Sequence, residues 1–149
     1  MEIANRRVLI TGASRGLGRT LAFAFAAAGA REVFAGARHA ADIEKLRSDA
    51  AALGAPITPI ELDVTSEDDV NATANLGFID ILVNNAGIAG YGDPLQMNFA
   101  DAAREMDVNY FGALRMARAL APQMIKRGEG MIVNVATAFA KVNLPLVGT

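Results

Sequence analysis

One stretch near the start of the chain decides its fold: Val8-Leu9-Ile10-Thr11-Gly12-Ala13-Ser14-Arg15-Gly16-Leu17-Gly18. Its apolar first residues are typical of a strand that is buried on both faces. The glycines follow with the spacing G-x-x-x-G-x-G, and the alanine-rich residues 19–28 indicate a helix. The first turn of a helix presents unpaired N–H groups and partial positive charge, which glycine lets a ligand approach. The stretch therefore predicts a strand, a turn and a helix that bind a pyrophosphate.

Apolar strands alternate with helical segments along the rest of the chain. The predicted strands are residues 7–11, 32–36, 57–62, 79–83 and 131–135. The predicted helices are residues 17–28, which we expect to be broadly buried, 40–53, a short one from 66 to about 76, and 98–127. Pro59 lacks a backbone donor, so the third strand belongs at a sheet edge. The alternation predicts an α/β fold, a Rossmann-type doubly wound parallel sheet with strand order 3-2-1-4-5.

Composition excludes several classes of protein. The chain has 149 residues, of which 52% are hydrophobic and 20% charged, and its formal net charge is −2. These values predict one folded domain that binds neither nucleic acid nor an anionic membrane. The chain has no cysteine and a single histidine, His39, which argues against a metal site. No apolar run approaches the length of a membrane span, so we expect a soluble cytoplasmic protein.

Separate pieces of the sequence resemble, in order and spacing, the short-chain dehydrogenase/reductase family. They are Thr11-Gly12-Ala13-Ser14-Arg15-Gly16-Leu17-Gly18, Asp63-Val64, Asn84-Asn85-Ala86-Gly87 and Val108-Asn109-Tyr110-Phe111-Gly112. The resemblance runs from about residue 7 to residue 137. It implies hydride transfer between a nicotinamide cofactor and a small carbonyl or alcohol substrate. It also implies a homo-oligomer, in which the long helix packs on a partner subunit.

The resemblance implies a role for each matching position. The pyrophosphate and the adenosine ribose would be lined by Gly12, Ser14, Arg15, Gly16, Leu17 and Gly18. Asp63 would accept a hydrogen bond from the adenine amino group, with Val64 beside the ring. The ribose on the nicotinamide side would be lined by Asn85, Ala86 and Gly87. Asn109 would lie in a kink of the long helix and hold a water in the proton relay. Taken singly, such residues are also ordinary turn and helix residues.

The end of the second predicted strand bears on the choice of cofactor. A carboxylate there would bind the ribose 2′-hydroxyl of NAD, whereas arginine suits the 2′-phosphate of NADP. The sequence has Arg38 at this point and no acidic residue. Arg15 could reach the same phosphate with a second charged set of donors. The cofactor prediction is therefore NADP rather than NAD.

The sequence also departs from the family pattern. Thr137 aligns with the catalytic serine and keeps a hydroxyl group. The family's Tyr-x-x-x-Lys pair is absent, because Tyr91 and Tyr110 are each followed by leucine at the lysine position. The family's last strands and helices are also absent.

Two interpretations stay open. In the first, these residues are the N-terminal part of an NADP-dependent oxidoreductase that interconverts a carbonyl and a secondary alcohol, and are inactive alone. In the second, the protein is a non-catalytic NADP-binding or interaction protein.

Overall fold

The protein is built on a parallel sheet with helices on both faces. A computed structural model describes residues 2–89 and 98–136. The strands are β1 Arg7–Ile10, β2 Glu32–Ala37, β3 Ile57–Glu61, β4 Ile81–Asn84 and β5 Met131–Asn134. The helices are α1 Gly16–Ala27, α2 Ala40–Ala52, α3 Glu67–Ala72, α4 Phe99–Met106 and α5 Ala113–Arg127. The strand order is β3-β2-β1-β4-β5, which confirms the predicted doubly wound topology.

The central strand β1 separates two apolar cores. Val8 and Ile10 belong to the core beneath α1 and α2, whereas Leu9 belongs to the core beneath α3 and α5, and all three are fully buried. Successive side chains of a strand point to opposite faces, so a strand covered on both sides must be apolar throughout. The apolar run in the sequence was therefore a correct signal for the centre of the sheet.

The sheet edge at β3 also agrees with the sequence. Pro59 pairs in register with Ala35 of β2, and β3 has no other neighbour among the described strands. Proline lacks a ladder donor and is tolerated where one side of the strand is unpaired. The short helix from residue 66 is also confirmed, as α3 followed by a 3₁₀ turn, Thr73–Leu76.

The prediction that α1 is buried broadly is wrong. Only Gly18 and Ala22 of this helix are fully buried, and Leu17 is 54% exposed. The helix lies in a single layer on one face of the sheet, so the side away from β1 and β2 faces solvent. Its large apolar side chains Leu21, Phe23 and Phe25 pack against the core but are only partly buried.

The long C-terminal helix is irregular around Asn109, where the family resemblance implied a kink. Residues 98–127 were predicted as one helix, but the structure divides this length into α4, a π-helical segment and α5. We call Asp107–Gly112 the π segment. In a π turn the N–H bonds to the carbonyl five residues earlier, a pattern that occurs frequently at functional sites. No helix in residues 2–89 and 98–136 combines the length and apolar character that crossing a bilayer requires.

Asp80 fastens the sheet at the end opposite the strand carboxyl termini. Its carboxylate accepts a hydrogen bond of 2.9 Å from the Arg7 amide and another from the Arg127 guanidinium, and the Arg6 guanidinium lies 3.8 Å away. The residue is only 8% exposed. Burial alone would raise the pKa of Asp80, but these hydrogen bonds and positive charges outweigh it and hold the pKa below 3.8. Asp80 therefore joins β1 and β4 to α5 as a carboxylate.

We expect Asp80→Asn to reduce the free energy of unfolding at pH 7 by about 2 kcal/mol, because hydrogen bonds to a charged group are replaced by weaker ones. Because the folded-state pKa of Asp80 is lowered, the stabilisation is present above the ordinary pKa of an aspartate and is lost as the pH falls through the folded-state pKa. Urea unfolding of wild type and variant at pH 7 and pH 3 measures this, and the difference should shrink in acid. Glu44→Gln is the control, because the Glu44 side chain on α2 is exposed to solvent. An equal difference at both pH values would contradict the conclusion that Asp80 stabilises the fold as a carboxylate.

Candidate functional site

A cleft of about 380 Å³ opens at the carboxyl ends of β1, β2, β3 and β4. Every residue that the sequence predicted for cofactor binding lines it: Gly12, Ser14, Arg15, Gly16, Leu17, Gly18, Arg38, Asp63, Val64, Asn85, Ala86 and Gly87. The lining also contains residues that the sequence analysis did not predict: Ala37, His39, Asp42, Leu62, Ile88 and Val108. Carboxyl ends of parallel strands share one edge of the sheet, so residues far apart in sequence meet there.

The glycine turn after β1 packs directly on the loop after β4. Gly12 has a φ of +65°, and a Cβ atom there would lie 2.7 Å from the Ala86 Cα. A Cβ atom on Gly18 would overlap the side-chain nitrogen of Asn85 and the carbonyl oxygen of Gly12. Glycine is required at both positions because backbone approaches backbone too closely for a side chain.

Thr11 holds the same two loops together by hydrogen bonds. Its hydroxyl accepts from the amides of Asn85 and Ala86, at 3.0 and 2.9 Å. In return the Asn85 side chain donates to the carbonyls of Thr11 and Gly12, at 3.0 Å each. The sequence did not predict a separate role for Thr11. A hydroxyl residue at the end of an apolar strand, just before the glycine turn, was the available signal.

The first turn of α1 fits an anionic ligand. Arg15 is its N-terminal cap residue and makes no capping hydrogen bond through its side chain, and the turn contains no acidic residue. Gly16 has a φ of +53°, and a Cβ atom there would meet nothing within 4 Å. An uncapped helix start with open space beside it offers N–H donors and the positive end of the helix dipole to a phosphate.

Asp63 borders the cleft as a carboxylate. The amide and the hydroxyl of Thr65 donate to its Oδ1 atom, at 2.9 and 2.7 Å. Burial raises the pKa of Asp63, but these hydrogen bonds and the positive charges of Arg38 and Arg104 more than offset it, so the pKa lies below its ordinary value. Asp63 is consequently ionised at neutral pH and accepts hydrogen bonds.

The structure places Asn109 in the π segment, next to the cleft. Its side-chain oxygen accepts from the Ile88 amide at 2.9 Å, and its side-chain nitrogen donates to the Ile88 carbonyl at 2.8 Å. It borders a second cavity of about 370 Å³, on the side of β4 and β5. The other predicted catalytic residue, Thr137, lies outside the described residues. Among the residues the structure describes, no His, Cys, Asp and Glu side chains are grouped closely enough to hold a metal ion.

A doubly wound sheet with a glycine turn at the switch point defines the class of nucleotide-binding α/β proteins. The chain matches the family model for short chain dehydrogenase over residues 6–149. It therefore belongs to the short-chain dehydrogenase/reductase family.

Individual relatives agree with this family membership. An uncharacterised oxidoreductase of Myxococcus xanthus is 37% identical over 141 residues, which are 91% of this chain and 55% of the relative. The solved gluconate 5-dehydrogenase of Burkholderia cenocepacia, in complex with NADP and tartrate, is 34% identical with a TM-score of 0.87. The match covers 97% of this chain and 58% of the gluconate 5-dehydrogenase chain.

A 3-oxoacyl-[acyl-carrier protein] reductase of Brucella melitensis with bound NAD is 34% identical, with a TM-score of 0.90. The match covers 99% of this chain and 59% of the reductase chain. The chain thus spans little more than half the length of these relatives.

The first turn of α1, which packs against the loop after β4, yields a matched pair of variants. We expect Gly18→Ala to lower the free energy of unfolding by about 3 kcal/mol, because the added methyl group overlaps atoms that packing holds in place. Gly16→Ala should cost only about 1 kcal/mol, the strain of a left-handed backbone with open space around it. Urea unfolding followed by circular dichroism measures both. Equal losses would show that the Gly18 contact is not as tight as described.

Proposed function

We propose that the protein is an NADP-dependent oxidoreductase that interconverts a carbonyl and a secondary alcohol. One observation carries the proposal: the glycine turn, the uncapped start of α1, Asp63 and the loop 85–87 all border one cleft. Bound in that cleft, the nicotinamide cofactor would supply the hydride donor or acceptor of the reaction. Family membership supports this activity.

Each part of the cleft suits a different part of the cofactor. The open first turn of α1 would hold the pyrophosphate on its N–H groups. Asp63, kept ionised, would accept a hydrogen bond from the adenine amino group, with Val64 beside the ring. Asn85, Ala86 and Gly87 would line the ribose on the nicotinamide side.

The preference for NADP over NAD rests on charge at the adenosine end. Arg15 and Arg38 both line the cleft, and β2 ends in Ala37 without an acidic residue. Guanidinium groups bind phosphate through paired, charge-assisted hydrogen bonds. Asp42 also lines the cleft, on the first turn of α2, and its negative charge works against the phosphate. Two guanidinium groups against one carboxylate leave a net positive charge among these three residues, which favours the 2′-phosphate.

We propose that Asn109 and Thr137 take part in the chemical step. In this proposal Asn109 holds a water of the proton relay, and the Thr137 hydroxyl steadies the substrate oxygen. The family's proton donor, the tyrosine of Tyr-x-x-x-Lys, is not among the residues of this sequence. We therefore expect the 149-residue chain to bind the cofactor without turnover. As a separate expectation, the protein is located in the cytoplasm.

A titration with both dinucleotides tests the cofactor assignment. Arg38→Ala should raise the Kd of NADPH about tenfold, the loss of one charge-assisted hydrogen bond, and leave that of NADH within about twofold. Nucleotide fluorescence measures both affinities. Arg47→Ala is the control, because Arg47 pairs with Glu44 on the exposed side of α2. Equal weakening of NADPH and NADH would contradict the role of Arg38.

The alternative function needs its own assay. Saturable NADPH binding with no oxidation of NADPH on any ketone or aldehyde, in a preparation containing the entire gene product, would favour a non-catalytic NADP-binding protein. A folded wild type that binds neither nucleotide would overturn the oxidoreductase proposal altogether.

We also propose that the protein forms a homo-oligomer through the outer side of its long helix. Exposed apolar side chains cluster there, and we call Met106, Tyr110, Phe111 and Leu114 the helix patch. Each of them is between 44% and 58% exposed, and the rings of Tyr110 and Phe111 meet edge to face at 5.1 Å. Contiguous exposed apolar surface of this kind marks interaction sites.

Leu114→Glu should convert the oligomer to monomer, because a carboxylate inside an apolar interface loses its hydration without gaining a partner. Sedimentation velocity over a range of concentrations measures the change. Ile125→Glu is the matched control, since Ile125 is 78% exposed on the same helix but lies outside the helix patch. A wild type that sediments as a monomer at all concentrations would contradict the proposal.

A further inference from the structure

The π segment lies between two loops that border the cleft. On one side it meets the loop after β3, where a Cβ atom on Gly112 would lie 2.6 Å from the Val64 Cγ2. On the other side it meets the loop after β4 through the paired hydrogen bonds of Asn109 with Ile88. The π segment therefore contacts both loops, and each of these loops forms part of the cleft wall.

Arg115 connects the π segment to the loop after β3, which carries Val64, by hydrogen bonds. Its Nη1 atom donates to the Val64 carbonyl at 3.4 Å and to the Asp107 carbonyl at 3.3 Å. Its Nη2 atom donates to the Asp107 carboxylate at 2.6 Å. Asp107 is the first residue of the π segment, so one guanidinium joins the start of this segment to the loop of Val64. A planar group with several donors can hold acceptors on two elements at once.

We propose that Arg115 is a positioning residue that couples the two ends of the cofactor cleft. The inference rests on the proposed function, in which Val64 lies beside the adenine and Gly87 beside the ribose on the nicotinamide side. When Arg115 holds the π segment to the Val64 carbonyl, the Asn109 side chain and the Ile88 backbone take a fixed position relative to the adenine end. A dinucleotide that spans the cleft then meets both ends at the correct separation.

The local surroundings separate this role from simple packing. Met116 and Leu120 on the same helix are fully buried and carry its contact with the core. The side chains of Arg115 and Asp107 are 30% and 40% exposed, so both lie at the margin of the core. Removing the guanidinium leaves the apolar contacts of α5 in place and releases the carbonyl of Val64. We expect the loop of Val64 and the loop of Ile88 to lose their fixed relative position while the fold is retained.

Two ligands distinguish coupling from a general weakening of the site. NADPH spans the whole cleft, whereas adenosine 2′,5′-bisphosphate occupies only the adenosine end. Arg115→Met should raise the Kd of NADPH about 2- to 30-fold, the usual range for a residue that couples sites, and raise that of the bisphosphate less. Arg115→Lys should restore little, because an ammonium group lacks the planar set of donors. Arg118→Met, an exposed arginine of the same helix, is the matched control and should change neither affinity.

A double-mutant cycle with Asn109→Ala completes the experiment. If Arg115 acts through the Asn109–Ile88 pair, the combined variant should bind NADPH no more weakly than the poorer single variant. Additive losses, or equal weakening of NADPH and the bisphosphate in Arg115→Met, would overturn the coupling while leaving the proposed function intact. If Arg115→Met does not fold, Arg115→Lys takes its place in the same cycle. Failure of wild type to bind either ligand would overturn the proposed function and the coupling together.

Discussion

The contact between the turn after β1 and the loop after β4 is the constraint on which the rest of the site depends. Thr11 and Asn85 exchange hydrogen bonds across it, and Gly12 and Gly18 bring the two backbones together. These loops leave neighbouring strands at the point where the strand order reverses. The start of α1 is thereby fixed beside the loop 85–87, and the cleft between them has a defined width. A side chain larger than hydrogen at Gly12 or Gly18 would separate the two walls.

The two ends of the sheet are built differently for a physical reason. At the carboxyl ends of the strands, glycines, an uncapped helix and an ionised Asp63 leave polar groups available for a ligand. At the opposite end, the Asp80 carboxylate accepts from the Arg7 amide and pairs with the guanidinium groups of Arg6 and Arg127 within the protein. The hydrogen bonds and ion pairs of Asp80 stabilise the contact of β1 and β4 with α5, whereas the open N–H groups at the start of α1 stay available to a ligand.

The long helix connects these features to the far side of the cleft. Its buried side chains pack beneath the sheet, while the π segment turns Asn109 toward the loop that carries Ile88. A regular α-helix would rotate residues after position 107 by a different amount and direct Asn109 elsewhere. The irregular segment, held by Arg115 and Gly112, is therefore what allows one helix to serve both the core and the cleft.

The sequence by itself determined the strands and their order, because apolar alternation and the glycine turn are local signals that reflect burial and backbone conformation directly. The family resemblance of its short motifs, with the arginine after the second strand, supplied twelve residues of the cleft, but the sequence did not predict the remaining lining residues, among them Asp42 and Ile88. It overestimated the burial of α1, since composition does not reveal how many sides of a helix are covered. It did not reveal the roles of Thr11, Asp80 and Arg115. For the long helix the resemblance implied a kink at Asn109, but not the π hydrogen-bond pattern of residues 107–112. These were decided only by tertiary structure, because each depends on partners that are distant in sequence or on a hydrogen-bond pattern that has no residue signature.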